Sequence, residues 1–185
     1  MQKIPTMFVR DESKPGHPVI DQIKPECQWV LDEGYGTVKM DGTNVKIENG
    51  QLLKRQKPKD RDYDEASYVP CDHSNPADRW AYEAFASLDS KEDGVYELLG
   101  PKVQGNPHRF IAHRLMRVVP MNWSMSVRQI YGQEAPRTFA ALAEFLATCE
   151  YEGIVFHHPD GRMAKIKRRD FGLSWPPGGG ASQEP

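Results

Sequence analysis

Apolar residues along the chain come in short runs cut by glycine, proline and charge, which predicts a strand-rich fold with few helices. Gly36-Thr37-Val38 and Val45-Lys46-Ile47-Glu48 read as strands on either side of Lys39-Met40-Asp41-Gly42-Thr43-Asn44. Asn49-Gly50 between alternating runs predicts a hairpin with a two-residue type I′ turn, the chain returning over Gln51 to Arg55. Val95 to Gly100 reads as a strand with Glu97 in its middle, and Arg109 to Val119 as another, ended by Pro120. Glu152 to His158 and Met163 to Lys167 form a second predicted hairpin, in which period-two alternation puts Lys165 and Lys167 on one face. Helical spacing of Trp80, Ala81, Ala84, Phe85 and Leu88 predicts a helix over about 76–88, with Asn75 as N-cap and Pro76 in its first turn. Phe139, Leu142, Ala143 and Leu146 predict a second, from Pro136 to about Cys149. Residues 1–28 read as an extended lead-in with one short strand at Met7-Phe8-Val9, and residues 56–74 as a long loop. The Pro/Gly/Ser-rich end predicts a flexible tail over 173–185 after a single domain over 1–172.

Composition narrows the class without naming a function. The chain has 185 residues, 38% hydrophobic and 27% charged, with a net charge of −2, as in ordinary globular proteins. There is no global basic field, but Lys54, Arg55, Lys57, Lys59 and Arg61 cluster, as do Lys165, Lys167, Arg168 and Arg169. Such runs are ordinarily solvated faces, and two in one domain also suit a phosphate backbone. The 3 cysteines are widely spaced with no C-x-x-C pair, so neither a disulfide framework nor a zinc site is expected, Cys71-Asp72-His73 included. No apolar run has membrane-spanning length and no signal peptide is recognisable, which predicts a reduced, cytoplasmic protein with no membrane contact and no obligate protein partner.

Chemistry concentrates in a few places. A lysine between two strands, beside a carboxylate and a glycine, suits an amine placed for attack once its charge is suppressed. Alone, Lys39-x-Asp41-Gly42 also fits a strand ending in an Asp-Gly turn. Glu97 lies among apolar neighbours, where a carboxylate is costly unless paired or coordinating.

Taken in order, Lys39-x-Asp41-Gly42, Tyr96-Glu97-Leu98-Leu99-Gly100, Glu152-Gly153-Ile154-Val155 and Lys165-x-Lys167 resemble the motif set of the covalent nucleotidyltransferases, the DNA and RNA ligases and mRNA capping enzymes. The resemblance spans about 29–170. Thr43-Asn44 after the glycine resembles phage-type RNA ligases, and Phe8-Val9-Arg10-Asp11 with the Gly100 to Pro107 loop resembles the small 5′-to-3′ RNA ligases. The resemblance implies an α+β, ATP-grasp-like adenylation domain, with antiparallel sheets around a nucleotide cleft and helices outside. It implies an ATP-dependent RNA ligase joining 5′-phosphate and 3′-hydroxyl RNA ends through a lysyl-AMP and an RNA-adenylate. Lys39 would be the nucleophile, with Lys165 and Lys167 neutralising the α-phosphate and lowering the pKa of Lys39. Glu152 would serve the catalytic set and hold Mg2+ or Mn2+. Asp41, Gly42, Asn44, Arg55 and Glu97 would complete the nucleotide site, Glu97 taking the ribose hydroxyls. Arg55 competes with Lys54 and Lys57 for the basic position after the nucleophile, and Arg10 is a further phosphate candidate. The family's purine-stacking aromatic has no match between His113 and Val119, so Leu115, Met116 or Val155 would pack the base. The sequence has room for neither an OB domain nor a nicotinamide-mononucleotide domain, which favours ATP as donor. A DNA ligase, a GTP-using guanylyltransferase and a non-catalytic nucleotide- or RNA-end-binding module are the alternatives.

Overall fold

A computed structural model of the chain describes residues 4–56, 67–118 and 123–177. In chain order the elements are β1 (Phe8–Arg10), β2 (Val19–Ile23), β3 (Tyr35–Lys39), β4 (Thr43–Glu48), β5 (Gln51–Gln56), β6 (Ser67–Pro70), α1 (Arg79–Ala86), β7 (Gly94–Leu99), β8 (Arg114–Arg117), α2 (Val127–Tyr131), α3 (Phe139–Thr148), β9 (Gly153–His157) and β10 (Met163–Lys167). All the pairings between these strands are antiparallel, so the α+β class with antiparallel sheets stands. The described residues fall into two compact units, one within Asp41–Val119 and the other within Ile4–Met40 and Pro120–Pro185.

The first unit is a five-stranded sheet in the order β6-β5-β4-β7-β8. Val45, Ile47, Leu52, Tyr96, Leu98 and Leu115 form its core with Ala81 and Ala84 of α1. The β4–β5 hairpin is as the sequence predicts: Asn49 and Gly50 have φ of 51° and 73°, the left-handed values a type I′ turn requires. Asn75 caps as expected, its side chain accepting from the Ala77 amide at 3.0 Å, but Pro76–Asp78 is a 3-10 turn and the α-helix begins only at Arg79. The strand expected over Arg109 to Val119 shrinks to β8, because the chain before it is tied into a loop of turns. The segment read as a loop over 56–74 contains β6, an edge strand on β5. Lys57, Lys59 and Arg61 of the basic run lie outside the described residues.

In the second unit β9 is the central strand of the order β10-β9-β3, and each of its residues is buried. Val38, Ile154, Phe156, Ala164 and Ile166 share a core with Met7, Phe8, Leu142, Phe145 and Leu146. The lead-in holds a hairpin, β1–β2, and residues beside it bond to the far edge of β10, the Met7 amide donating to the Lys165 carbonyl at 2.8 Å. The second helix starts later than predicted, at Phe139, with the Thr138 hydroxyl as its cap. Arg137 before it is held out of the helix by the carbonyls of Val30, Glu33 and Gly34. Nor is the predicted tail loose at its start: Leu173 packs on the core and Trp175 is buried.

Gly153 stands where β3, β9 and β10 meet in one row, and a Cβ there would lie 2.7 Å from the Lys167 Cα. The neighbour is backbone and cannot swing away. Gly153→Ala is expected to destabilise the fold by about 1–3 kcal/mol, read as a lower urea midpoint.

Candidate active site

Strand register builds the lysine cluster of the second unit. Lys39 of β3 and Lys167 of β10 both pair with Gly153, one from each side of β9. In the next row Thr37 and Lys165 pair with Val155. Cross-strand partners share a face, so Lys39, Lys165 and Lys167 project from one side of the sheet while Val38, Ile154 and Ile166 fill the core on the other.

Glu152, just before the regular strand, is fixed by its own backbone: its amide donates to the Lys39 carbonyl at 3.1 Å, and its carbonyl accepts from the Arg168 amide at 2.9 Å. Its side chain is buried, the residue being 7% exposed. One carboxylate oxygen accepts from the Lys39 ammonium and the other lies 3.5 Å from the Lys167 ammonium. The Lys39 ammonium also donates to the Met40 carbonyl at 3.2 Å. A buried carboxylate without such partners would be strongly disfavoured.

Lys165 is the lysine whose proton is loosened. Burial, then the ammonium groups of Lys167 and Lys39, push its pKa down to about 8, against the pull of Asp170 and Glu152. Asp170 is itself engaged, by the Arg10 guanidinium and by the Lys167 amide at 2.8 Å. Arg10 is thus occupied by Asp170 and by the His17 carbonyl at 2.8 Å. Arg168 is no phosphate contact: it is 5% exposed and its guanidinium caps the end of α3 at the carbonyls of Leu146 and Cys149. Further along this face lies another polar pair, Thr37 and His157 of the next row, the Thr37 hydroxyl and His157 Nε2 being 2.9 Å apart. Burial drives the His157 pKa down to about 4, so the ring is neutral.

The first unit carries its own polar row. Asn44 of β4 pairs with Glu97 of β7, Glu97 with Met116 of β8, and Arg55 of β5 with Tyr68 of β6. Val45 pairs with Lys54, which puts Arg55 level with Asn44 one step on. Tyr68, Arg55, Asn44, Glu97 and Met116 therefore lie along one face. The Tyr68 hydroxyl donates to Asn44 Oδ1 at 2.6 Å, and burial raises its pKa. Lys54 points the other way and is paired to Asp78 at 2.6 Å, so of these two neighbours it is Arg55 that lies on the polar face. Glu97 accepts from the Gly42 amide at 3.1 Å, and a Cβ on Gly42 would lie 2.8 Å from the Glu97 Cγ. The Asp41 amide donates to His108 Nε2 at 2.9 Å. Of the aliphatic candidates for the purine, Leu115 belongs to the core whereas Met116 stands beside Glu97 on the polar face.

Sequence reasoning missed Tyr68 and His108. Tyr68 follows a charged stretch with no periodicity, and only the β5–β6 register gives it a role. His108 sits in a turn-rich loop where nothing local marks it. Among the described residues no group of three or more His, Cys, Asp or Glu side chains could hold a metal ion, and Cys27, Cys71 and Cys149 are free and buried. No described helix is long and apolar enough to cross a membrane.

A model of the RNA ligase 1 family matches residues 72–182, which include Glu97, Glu152, Lys165 and Lys167. No curated protein matches the chain.

The lowered pKa of Lys165 has a consequence for stability. Between about pH 8 and 10.5 the unfolded chain binds the proton that the folded chain releases, so this lysine costs stability below about pH 8 and the cost fades as pH rises towards 10.5. Lys165→Met is expected to raise stability at pH 7 by about 1–2 kcal/mol, after allowance for its exposed part, and by less at pH 10. Urea midpoints at the two pH values measure this; a gain that grows with pH contradicts the cause assigned here.

Proposed function

The chain belongs to the RNA ligase 1 family, and from that premise we propose that it is an ATP-dependent ligase that seals 5′-phosphate to 3′-hydroxyl RNA ends through an adenylated Lys39. The observation that carries this reading is the arrangement of the Lys39, Lys165 and Lys167 side chains on one sheet face, with a single buried carboxylate, Glu152, bonded to two of them. Cations outnumber the carboxylate there, so the face suits a polyphosphate, which brings the missing negative charge.

In the first step the Lys39 Nζ lone pair forms a bond to the α-phosphorus of ATP, and the bond from that phosphorus to the bridging oxygen breaks, releasing pyrophosphate. Before attack the ammonium must lose a proton, and the Glu152 carboxylate is the acceptor already hydrogen-bonded to it. Lys165 and Lys167 hold the negative charge that accumulates on the phosphoryl oxygens. The RNA 5′-phosphate then takes AMP from the lysine, freeing the amine. Finally the 3′-hydroxyl oxygen attacks the activated 5′-phosphorus, and AMP departs as the strand closes.

The polar row of the first unit supplies groups of the kind a nucleoside needs. Glu97 would accept from ribose hydroxyls, Asn44 would donate through its amide nitrogen, Arg55 would meet a phosphate, and Met116 would pack on the base. Asp41 and Gly42 shape the turn after the nucleophile, Gly42 being the residue that fits against Glu97. A divalent ion, Mg2+ or Mn2+, suits a donor set of one carboxylate, Glu152, because such ions complete their shell with phosphate oxygens and water. When bound it would supply charge neutralisation on the phosphates.

Intact-mass spectrometry after incubation with ATP and Mg2+ tests this reading. The wild type is expected to gain the mass of one AMP and Lys39→Ala to gain none. Lys165→Ala and Lys167→Ala should each slow adduct formation at least about tenfold. EDTA should abolish it. GTP in place of ATP should leave the protein unlabelled, and sealing of a nicked or single-stranded RNA should exceed that of DNA of equal length. An adduct that persists on Lys39→Ala contradicts the reading.

A further inference from the structure

The loop over 100–113, between β7 and β8, contains neither helix nor strand, yet it is closely tied. Val103 N donates to the Gly100 carbonyl at 3.1 Å, Asn106 N to the Val103 carbonyl at 2.7 Å, and Arg109 N to the Asn106 carbonyl at 3.0 Å. The Asn106 amide bonds both ways to Phe110, donating to its carbonyl at 3.0 Å and accepting from its N–H at 2.9 Å, as a paired strand would. Gln104, Asn106 and Arg109 have φ of 48°, 53° and 55°, a conformation costly for residues with a Cβ and held here by those bonds. At its stem the buried His113 ring stacks on Trp80 at 4.6 Å, accepts from the Lys102 amide at 3.3 Å and faces Glu83 at 2.9 Å. Further along, His108 Nε2 accepts from the Asp41 amide.

This framework holds out side chains that the fold itself does not use. Ile111 is 94% exposed. Arg109 is exposed, and the exposed Arg114 sets its guanidinium 4.6 Å over the Phe110 ring. Lys102, Arg109 and Arg114 have no carboxylate partner among the described residues, whereas Arg117, the next basic residue, is taken by Glu92. The sequence has no Asp or Glu from Leu98 to Gln133.

We propose that this loop is a contact surface for single-stranded RNA. The Arg114 guanidinium, backed by Phe110, offers its outer face to an unstacked base, Ile111 supplies apolar area beside it, and Arg109 and Lys102 meet phosphates. An exposed isoleucine and an aromatic-backed guanidinium suit splayed bases, which a duplex keeps stacked inside itself. The hydrogen bond from Asp41 to His108 ties this surface to the Asp41-Gly42 turn. The inference deepens the reading of the chain as an RNA ligase and rests on RNA being its substrate.

Fluorescence anisotropy of the full chain with a 3′-labelled single-stranded RNA, and with a duplex RNA of equal length, tests it. Arg109→Gln/Arg114→Gln is expected to weaken single-strand binding about tenfold and to lower the slope of log affinity against log salt by about 0.7, for the one phosphate that Arg109 no longer neutralises. Ile111→Ser, a change at an exposed position that the fold tolerates, should weaken binding severalfold with the slope unchanged. Wild-type affinity and slope in both variants overturn the proposal, as does an equal loss on duplex RNA. The titration needs no ATP, so failure of the AMP adduct on the wild type strikes the lysyl-AMP reading and leaves the loop's result standing.

Discussion

The second unit depends on one arrangement of charge: a carboxylate placed out of water and held there by two lysines from strands on either side of it. Glu152 alone would be too costly to bury, and Lys39 and Lys167 would repel each other without it. Register enforces the meeting, since Gly153 pairs with both lysines and leaves no side chain between them. Lys165, one row away, adds a charge that no carboxylate of the cluster directly pairs, and its lowered pKa records the strain. Such a face is incomplete without an anion, and a nucleotide's phosphates would supply one.

The first unit follows another logic. In its polar row Tyr68 holds Asn44 and Glu97 holds the Gly42 amide. Those bonds orient acceptors and donors before a ligand arrives, which lowers the ordering entropy that binding would cost. The 100–113 loop follows the same rule in a segment without regular structure. Its backbone bonds and the Asn106 amide consume no charge, so Arg109 and Arg114 remain exposed to solvent.

Much of this was legible in the sequence, for reasons that differ by residue. The Asn49-Gly50 hairpin and the shared face of Lys165 and Lys167 follow from local geometry and period-two alternation, and both appear as predicted. The link between Lys39 and Glu152 spans 113 positions, and only the ordered motif resemblance anticipated that they belong together. Where tertiary bonds override local pattern the sequence misled: Arg168 reads as a surface cation and is buried under α3, and the aliphatic run before Val119 reads as a long strand. Lys165 is the other such case. Alternation placed it, but only packing shows that it, with Lys39 and Lys167 beside it, bears the desolvation.

That last point makes Lys165 the natural rival to Lys39 as nucleophile, since an amine with pKa near 8 is readily freed of its proton. The proposed reaction assigns attack to Lys39 because its proton has a bonded acceptor in Glu152, and in it Lys165 would stay a cation for the phosphate. Tandem mass spectrometry of peptides from the wild-type protein after reaction with ATP decides between them. The expected result is AMP on the peptide containing Lys39 and none on the peptide containing Lys165. AMP on Lys165 with Lys39 unmodified would contradict it.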